Sequence, residues 1–197
     1  DSEKLQKRIF EEVQKRYNLN TSGILYDVTN TYFYGDKCLW GKKGHSKEKQ
    51  YDKPLVQIGL GVTREDGIPI FHKTFDGNVH DARTLQGILP LFKEYKIKAG
   101  FFVYDRGIPS KENISDVKEL GWETICGLPM GEKLKYIVKE MIEKKEFVNM
   151  RNRVKLSKAT LYAVSVDYEI EEVEGKLLIC FNNKMKVAVQ ESRYDEI

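Results

Sequence analysis

Twice in this chain a run of apolar, β-prone residues carries an aspartate. Gly23-Ile24-Leu25-Tyr26-Asp27-Val28 encloses one, and Gly100-Phe101-Phe102-Val103-Tyr104 ends on another, Asp105. The second run is continuous, the pattern of a central strand covered on both faces of its sheet. An ionised carboxylate is expensive to bury without compensation, and two brought close together are more expensive still. A shared divalent cation solves both problems. If the two strands are adjacent and parallel, the carboxylates meet at one edge of the sheet, and an oxygen-rich site of that kind suits Mg²⁺ or Mn²⁺.

The remaining periodicity supplies the rest of such a sheet. Leu5, Ile9, Phe10, Val13 and Tyr17 recur at helical spacing before the first strand. That strand is followed by the aromatic run Tyr32-Phe33-Tyr34 and a polar, glycine-bearing loop through Lys53. Residues 54–63 and 68–75 are two strands joined by Arg64-Glu65-Asp66-Gly67, whose Asp-Gly pair signals a hairpin and so an antiparallel pair. Asp81 is placed to cap a helix with Leu85, Ile88, Leu89 and Phe92 on one face, ending near Tyr95. After the strand that ends at Tyr104, Ser110 caps a helix carrying Ile114, Val117 and Leu120, Gly121 ends it, and residues 123–127 form a short strand.

Three antiparallel strands, a helix, and strands that return beside the first make the topology of the ribonuclease-H-like fold. The expectation is an α/β domain: a mixed five-stranded sheet with flanking helices, plus a β-rich insertion near the C-terminus. The organisation expected is an N-terminal helix over 1–20, the first part of the core over 21–130, and a basic β-rich insertion over 131–197, where a helical stretch precedes strand-like runs at 160–170 and 173–181. The formal net charge of +3 permits nucleic-acid binding without arguing for it. Between Gly131 and Thr160, however, nine Lys or Arg stand against four acids, a local +5 and a candidate phosphate-contacting face that includes Lys133, Lys144 and Lys145.

Composition excludes several classes. Hydrophobic residues make up 41% of the chain, as in a folded globular protein, and no run approaches the length of a membrane span. Cys38, Cys126 and Cys180 are odd in number and show no C-x-x-C spacing, and no charged-then-apolar leader precedes the first helix, so a reducing cytoplasm is the expected setting. The chain opens at Asp1 and stops at Ile197 after a charged stretch, which reads as a piece of something longer. No internal repeat, low-complexity segment or heptad seam is present.

Position alone leaves the candidate residues open to two readings. An Asp after a strand is a common turn former, and Asp105-Arg106-Gly107-Ile108-Pro109 holds turn residues; Asp27 is explicable by a hydrogen bond to Thr29 or Asn30. Asn78 and Asp81 either orient substrate or make a turn and a cap. Arg106 meets either a phosphate or a surface acid. His45, His72 and His80 lack zinc-ligand spacing. Tyr32, Phe33, Tyr34 and Trp40 are able to stack on extruded bases, although packing is the expectation for most of them.

A resemblance joins these pieces. Leu25-Tyr26-Asp27-Val28-Thr29-Asn30-Thr31-Tyr32-Phe33 is similar to the first-aspartate segment of bacterial insertion-sequence transposases of the DDE type. The similarity continues through Gly44-His45-Ser46-Lys47-Glu48 with Asp52, Gly67-Ile68-Pro69-Ile70, Phe75-Asp76-Gly77-Asn78 with Asp81, and Tyr104-Asp105-Arg106-Gly107 with Ser110 and Asn113. Together the five pieces span about residues 24–128, in order over one fold.

The resemblance implies a metal-dependent nuclease and strand transferase acting on double-stranded DNA, at transposon ends and target. Asp27 and Asp105 would be the first two acids of its triad, metal ligands and catalytic residues together. Two carboxylate-bridged metals activate a water or 3′-hydroxyl and stabilise the leaving oxygen, so no protein nucleophile is needed. It further implies a homodimer in the full-length protein and a nucleoid-associated place in the bacterial cytoplasm. The third acid, a Glu on a later helix, is not identifiable. Glu169, Glu171, Glu172, Glu174, Glu191 and Glu196 lack the Tyr-x-x-Arg-x-x-x-Glu setting and read as a solvated face. The chain alone is therefore expected to be inactive. The rival functions are a decayed descendant that binds DNA without cutting it, and a glycosidase using the two aspartates as acid and base.

Overall fold

In the computed structural model the hairpin signal at Asp66-Gly67 is realised between β2 (Leu55–Thr63) and β3 (Pro69–Asp76). Gly67 takes a positive φ of 65°, and the fully buried Thr63 closes the turn by accepting the Ile68 amide at 3.0 Å. β1 (Gly23–Tyr32) pairs antiparallel with β2 on one side and parallel with β4 (Phe101–Tyr104) on the other; β5 (Glu123–Cys126) extends the parallel half. The order is β3-β2-β1-β4-β5, the ribonuclease-H-like arrangement expected from the sequence. The structure describes residues 2–35, 37–47, 49, 52–157, 159–170, 172–184 and 186–187, and the chain divides into two compact units, Asp1–Pro129 and Met130–Ile197.

One face of the first unit's sheet holds the core. α2 (Asp81–Glu94) and α3 (Lys111–Glu119) send Leu85, Ile88, Phe92 and Val117 into one cluster with Ile24, Tyr26, Phe71 and Phe102, and α3 also buries Ile114. The aromatic rings interlock: Phe92 stands edge-on to Phe102 at 5.1 Å and meets Trp122 at 5.1 Å, while Tyr26 stacks on Phe102 at 5.9 Å. Two glycines make room for this layer. A Cβ at Gly59 would lie 2.3 Å from the Tyr26 hydroxyl, and one at Gly61 would lie 2.3 Å from the Phe71 ring, so the rings lie flat across β2 only because those positions are bare. α1 (Ser2–Tyr17) sits beside β3 in the same unit, with Phe10 stacked on Tyr95 at 5.3 Å and the Gln6 side chain bonded both to the Tyr95 hydroxyl and to the His72 amide.

The other face is only partly covered, with Val56 buried but its neighbours towards β4 and β5 open, and here the structure corrects the sequence. β4 was expected to be covered on both sides, yet Phe101 is 42% exposed, Leu25 37%, Leu60 40% and Ile125 53%. An apolar run tells that a strand is apolar on both faces, not that both are filled. A second correction concerns Asp81, which is the first helical residue of α2 and not its cap. The N-cap is His80, with extended backbone and no side-chain capping bond. Ser110 does cap α3, accepting the Asn113 amide at 3.2 Å, and Gly121 ends the segment with φ of 79°.

The second unit is built on α4 (Glu132–Glu143), two single 3₁₀ turns at Glu146–Val148 and Met150–Asn152, and the strands β6 (Arg153–Lys155), β7 (Thr160–Ile170) and β8 (Val173–Phe181). The strands form an antiparallel sheet in the order β6-β7-β8. Among its described residues Leu134, Met141 and Phe147 are the buried apolar side chains, with Phe147 5.5 Å from Phe181.

Candidate functional site

The two aspartates stand one step past the same rung. Tyr26 pairs with Tyr104 as the last register of the parallel β1–β4 ladder, and Asp27 and Asp105 are the residues that follow. Neighbouring strands are about 5 Å apart, so the two backbones leave the ladder side by side at that spacing. The reason for this placement is alternation. Tyr26 and Tyr104 turn into the helix-covered core, and the next residue on each strand is turned away from it.

Both carboxylates are exposed, which corrects the sequence expectation of a buried Asp27. Each uses one oxygen in the same way: Asp27 Oδ1 accepts its neighbour's amide from Val28 at 2.8 Å, and Asp105 Oδ1 accepts that of Arg106 at 2.7 Å. Neither bonds to Thr29 or Asn30. No Lys or Arg among the described residues pairs with either aspartate. Two exposed carboxylates on neighbouring backbones, each with one oxygen outside any hydrogen bond among the described residues and no counter-cation, are a donor set that fits a hard divalent ion completed by water. Among the described residues no three His, Cys, Asp or Glu side chains converge on one metal position. Glu169 and Glu174 are exposed on the second unit's sheet and Glu172 in the turn between β7 and β8, while Glu171, Glu191 and Glu196 lie outside the described residues.

A residue quoted only within the sequence resemblance braces the turn after Asp105. Asn113, 2% exposed, donates through Nδ2 to the carbonyls of Ile108 at 2.7 Å and Ala82 at 2.8 Å, and its Oδ1 accepts from Gln86 at 2.9 Å. One amide thus ties the Asp105–Ile108 turn to the first turns of both α2 and α3. The signal available in the sequence was an Asn three residues after a helix cap, next to the core residue Ile114. Asp81 faces the same turn, its Oδ2 3.3 Å from where a Gly107 Cβ would stand. Burial pushes the Tyr26 phenol up to about 12; the hydrogen bond to Thr84 opposes this, and the charges of Asp81 and Asp27 add to it.

Beside Gly107 and Asp81 opens a cavity of about 620 Å³, lined also by Asn78, His80, Lys47 and Gln57. Gln57 is 5% exposed, and its Oε1 has no partner. Asn78 stands exposed on the cavity rim, and Arg106 is exposed beside Asp105. The three lysines of the second unit fare differently. Lys133 lies over the Tyr168 ring at 4.7 Å and donates to the Glu169 carbonyl, and Lys144 pairs with Glu140. Lys145, in the left-handed region at φ 58°, has no partner among the described residues. Lys135 and Lys139 also pair along α4, so among the described residues between Gly131 and Thr160 the cations left without a side-chain partner are Lys145, Arg151, Arg153 and Lys155.

The family model described as Transposase DDE domain matches residues 18–184. Among curated proteins none matches the chain. Among solved structures, the Mos1 transposase paired-end complex with the left transposon end is similar at 12% identity and a TM-score of 0.37, over 71% of this chain and 52% of that one. The catalytic domain of Mos1 mariner transposase is similar at 13% and 0.36, over 72% and 68%. The piggyBac transposase synaptic complex with hairpin DNA is similar at 11% and 0.44, over 89% and 38%. The chain spans about half the length of the Mos1 transposase in the first of these.

Proposed function

The chain belongs to the transposase DDE-domain family, and on that premise we propose that Asp27 and Asp105 hold a divalent cation, Mg²⁺ or Mn²⁺, for phosphodiester cleavage and strand transfer at the ends of a DNA element. The family implies divalent-metal use. The observation that carries the proposal is the placement of two unpaired carboxylates one residue beyond the same rung of the β1–β4 ladder. An ion bound there supplies Lewis-acid stabilisation of charge on a phosphodiester oxygen. Asp27 and Asp105 would hold it through their carboxylates, and Asn113 holds the turn on which Asp105 sits. Arg106 and Asn78 flank the pair as contacts for the DNA backbone and strand.

The partner is double-stranded DNA, at the transposon ends and the target, and Lys133, Lys144 and Lys145 belong to the basic face proposed for the second unit. Cutting and joining two ends requires two active sites, which a homodimer supplies. The setting is the bacterial cytoplasm, at the nucleoid; among the described residues no helix is long and apolar enough to cross a membrane.

Titration of the chain with Mn²⁺, followed by the paramagnetic signal of the free ion, tests the site. Asp27→Asn and Asp105→Asn should each weaken binding by about tenfold or more, since even outer partners of a metal site are worth that much. Asp116→Asn, on α3, should leave it unchanged. Binding that is indifferent to Asp105→Asn sinks the proposal, and with it the distinction from a glycosidase site.

A further inference from the structure

β1 does not stop at the carboxylate. β4 ends one residue before Asp105, but β1 continues with β2 alone to Tyr32, five residues past Asp27. At about 3.3 Å per residue this carries Tyr32 about 17 Å beyond the carboxylate pair. There the chain builds an aromatic and cationic surface. Tyr32 and Tyr34 stand edge to face at 5.8 Å. Lys53 Nζ lies 4.5 Å from the first ring and 4.2 Å from the second, and it donates to the Tyr34 hydroxyl at 3.1 Å. The Phe33 amide bonds the carbonyl of Pro54, and a Cβ at Gly41 would lie 3.2 Å from the Pro54 ring, so the Trp40-Gly41 turn flanks the same proline.

Packing, the expectation from sequence, does not account for these rings. Tyr34 is 81% exposed and Trp40 55%. Yet the segment is tied down. The Gly77 amide donates to the Trp40 carbonyl, Lys42 and Leu55 exchange both backbone bonds, and Asn30 clasps the backbone of His45 and Lys47 through both ends of its amide. Gly44 lies so close that a Cβ would stand 2.1 Å from the Gly77 carbonyl oxygen. The segment is also the cationic part of the first unit. Residues 33–53 carry six lysines against three acids, a formal +3 that equals the charge of the whole chain. Lys37, Lys42 and Lys43 make no ion pair with any described residue. Exposed aromatic rings held on a fixed backbone, among unpaired lysines, match the chemistry of unstacked nucleobases on a phosphate chain.

We propose that Tyr34, Trp40 and Lys53, with Lys37, Lys42 and Lys43, form a platform that stacks an unpaired DNA base flanking the cut site. This rests on the DNA-cutting function above and adds which DNA is held, and where. With a rise of about 3.4 Å per nucleotide, the stacked base lies about five nucleotides from the phosphate at the carboxylate pair. The bound substrate is then a duplex opened on its flank, not an intact one.

The test uses the whole chain, a fully paired DNA duplex, and a fork of equal strand length with 2-aminopurine in its unpaired arm. The fork should bind about tenfold tighter, as one stacked base is worth that or more, and its fluorescence should be quenched. Tyr34→Ala and Trp40→Ala should each remove most of that preference without changing duplex binding. Tyr34→Phe, which keeps the ring, should retain the quenching. Lys42→Gln with Lys43→Gln should weaken both DNAs alike, and circular dichroism identifies any variant that fails to fold. Equal binding of fork and duplex by the unmodified chain overturns the platform, as does a preference that survives both alanine variants or binding to neither DNA. The Mn²⁺ titration of Asp105→Asn, run without DNA, is independent. A platform that fails beside an intact metal response overturns this inference alone, whereas a lost metal response overturns the function it rests on.

Discussion

Tyr26 and Asp27 are consecutive, yet they live in different solvents. Strand alternation puts the phenol in the core, 2% exposed, and the carboxylate in water. The cost of burying Asp27, which made a cation necessary in the sequence reading, is therefore absent. What points to a cation is the juxtaposition with Asp105. The burial falls on Tyr26, and it has a pH consequence. Its phenol is raised from 10.0 to about 12, so the folded state favours the neutral form. Below pH 10 neither the folded nor the unfolded chain ionises it, and the contribution to stability is full. Between pH 10 and about 12 only the unfolded chain ionises, so stability falls with rising pH. The loss amounts to about 3 kcal/mol by the time both states have titrated. Tyr26→Phe should give up the Thr84 hydrogen bond, about 1 kcal/mol at neutral pH, and then lose less stability on the alkaline side. Tyr104, raised by burial in the same direction, retains part of the alkaline loss. Urea unfolding at neutral and alkaline pH measures both; parallel pH dependences would show that Tyr26 titrates normally.

At the scale of elements, the strands and helices with strong periodicity were legible: the hairpin from Asp66-Gly67, α2 from Leu85, Ile88, Leu89 and Phe92, and α3 from its Ser110 cap. What was not legible depended on contacts distant in sequence. β6 has three residues, too few for any period, and the role of Asn113 is visible only once α2, α3 and the Asp105 turn meet. Asn113→Ala leaves the carbonyl of the buried Ile108 without its Nδ2 donor and removes the tie to the Ala82 carbonyl on α2. It should cost about 1–3 kcal/mol of stability and also loosen Mn²⁺ binding; stability lost with the metal affinity intact would make Asn113 a packing residue only. Charge was legible as a sum and not as a pattern. The +5 between Gly131 and Thr160 is partly cancelled along α4, where Lys135, Lys139 and Lys144 pair with Glu132, Glu143 and Glu140. If this unit contacts phosphate, the unpaired Arg151, Arg153 and Lys155 should dominate. Neutralising those three to Gln should flatten the salt dependence of DNA binding by about three ions' worth, and the Lys133 and Lys144 variants should matter less. Equal effects would mean that the α4 pairs open when DNA binds.

Activity belongs to the whole molecule, and there the donor count decides. In a two-metal mechanism the ions must be held close together, and each needs ligands that fix it against the attacking or the leaving oxygen. On the proposed reading Asp27 and Asp105 would collect one hydrated ion, and among the described residues no third His, Cys, Asp or Glu converges with them. The pair also stands in water, on a sheet face where Leu25, Leu60 and Phe101 are partly bare. Fixed charges stabilise a transition state best in a closed, water-excluded site, and an exposed pair forgoes much of that advantage. Productive geometry tolerates errors on the order of 0.5 Å, which two side chains on separate strands do not secure for two ions. Removing one preorganised group from an active site commonly lowers the rate about a hundredfold to a thousandfold, and a missing metal ligand should be at least as harmful. We therefore expect the 197-residue chain to fold and to bind Mn²⁺ weakly, but not to nick DNA. The assay is incubation of supercoiled plasmid with the chain and Mn²⁺, beside Asp105→Ala. Nicking by the unmodified chain that Asp105→Ala abolishes would show that a further ligand acts from a position not credited with one, and Glu191 and Glu196 would be the first side chains to replace.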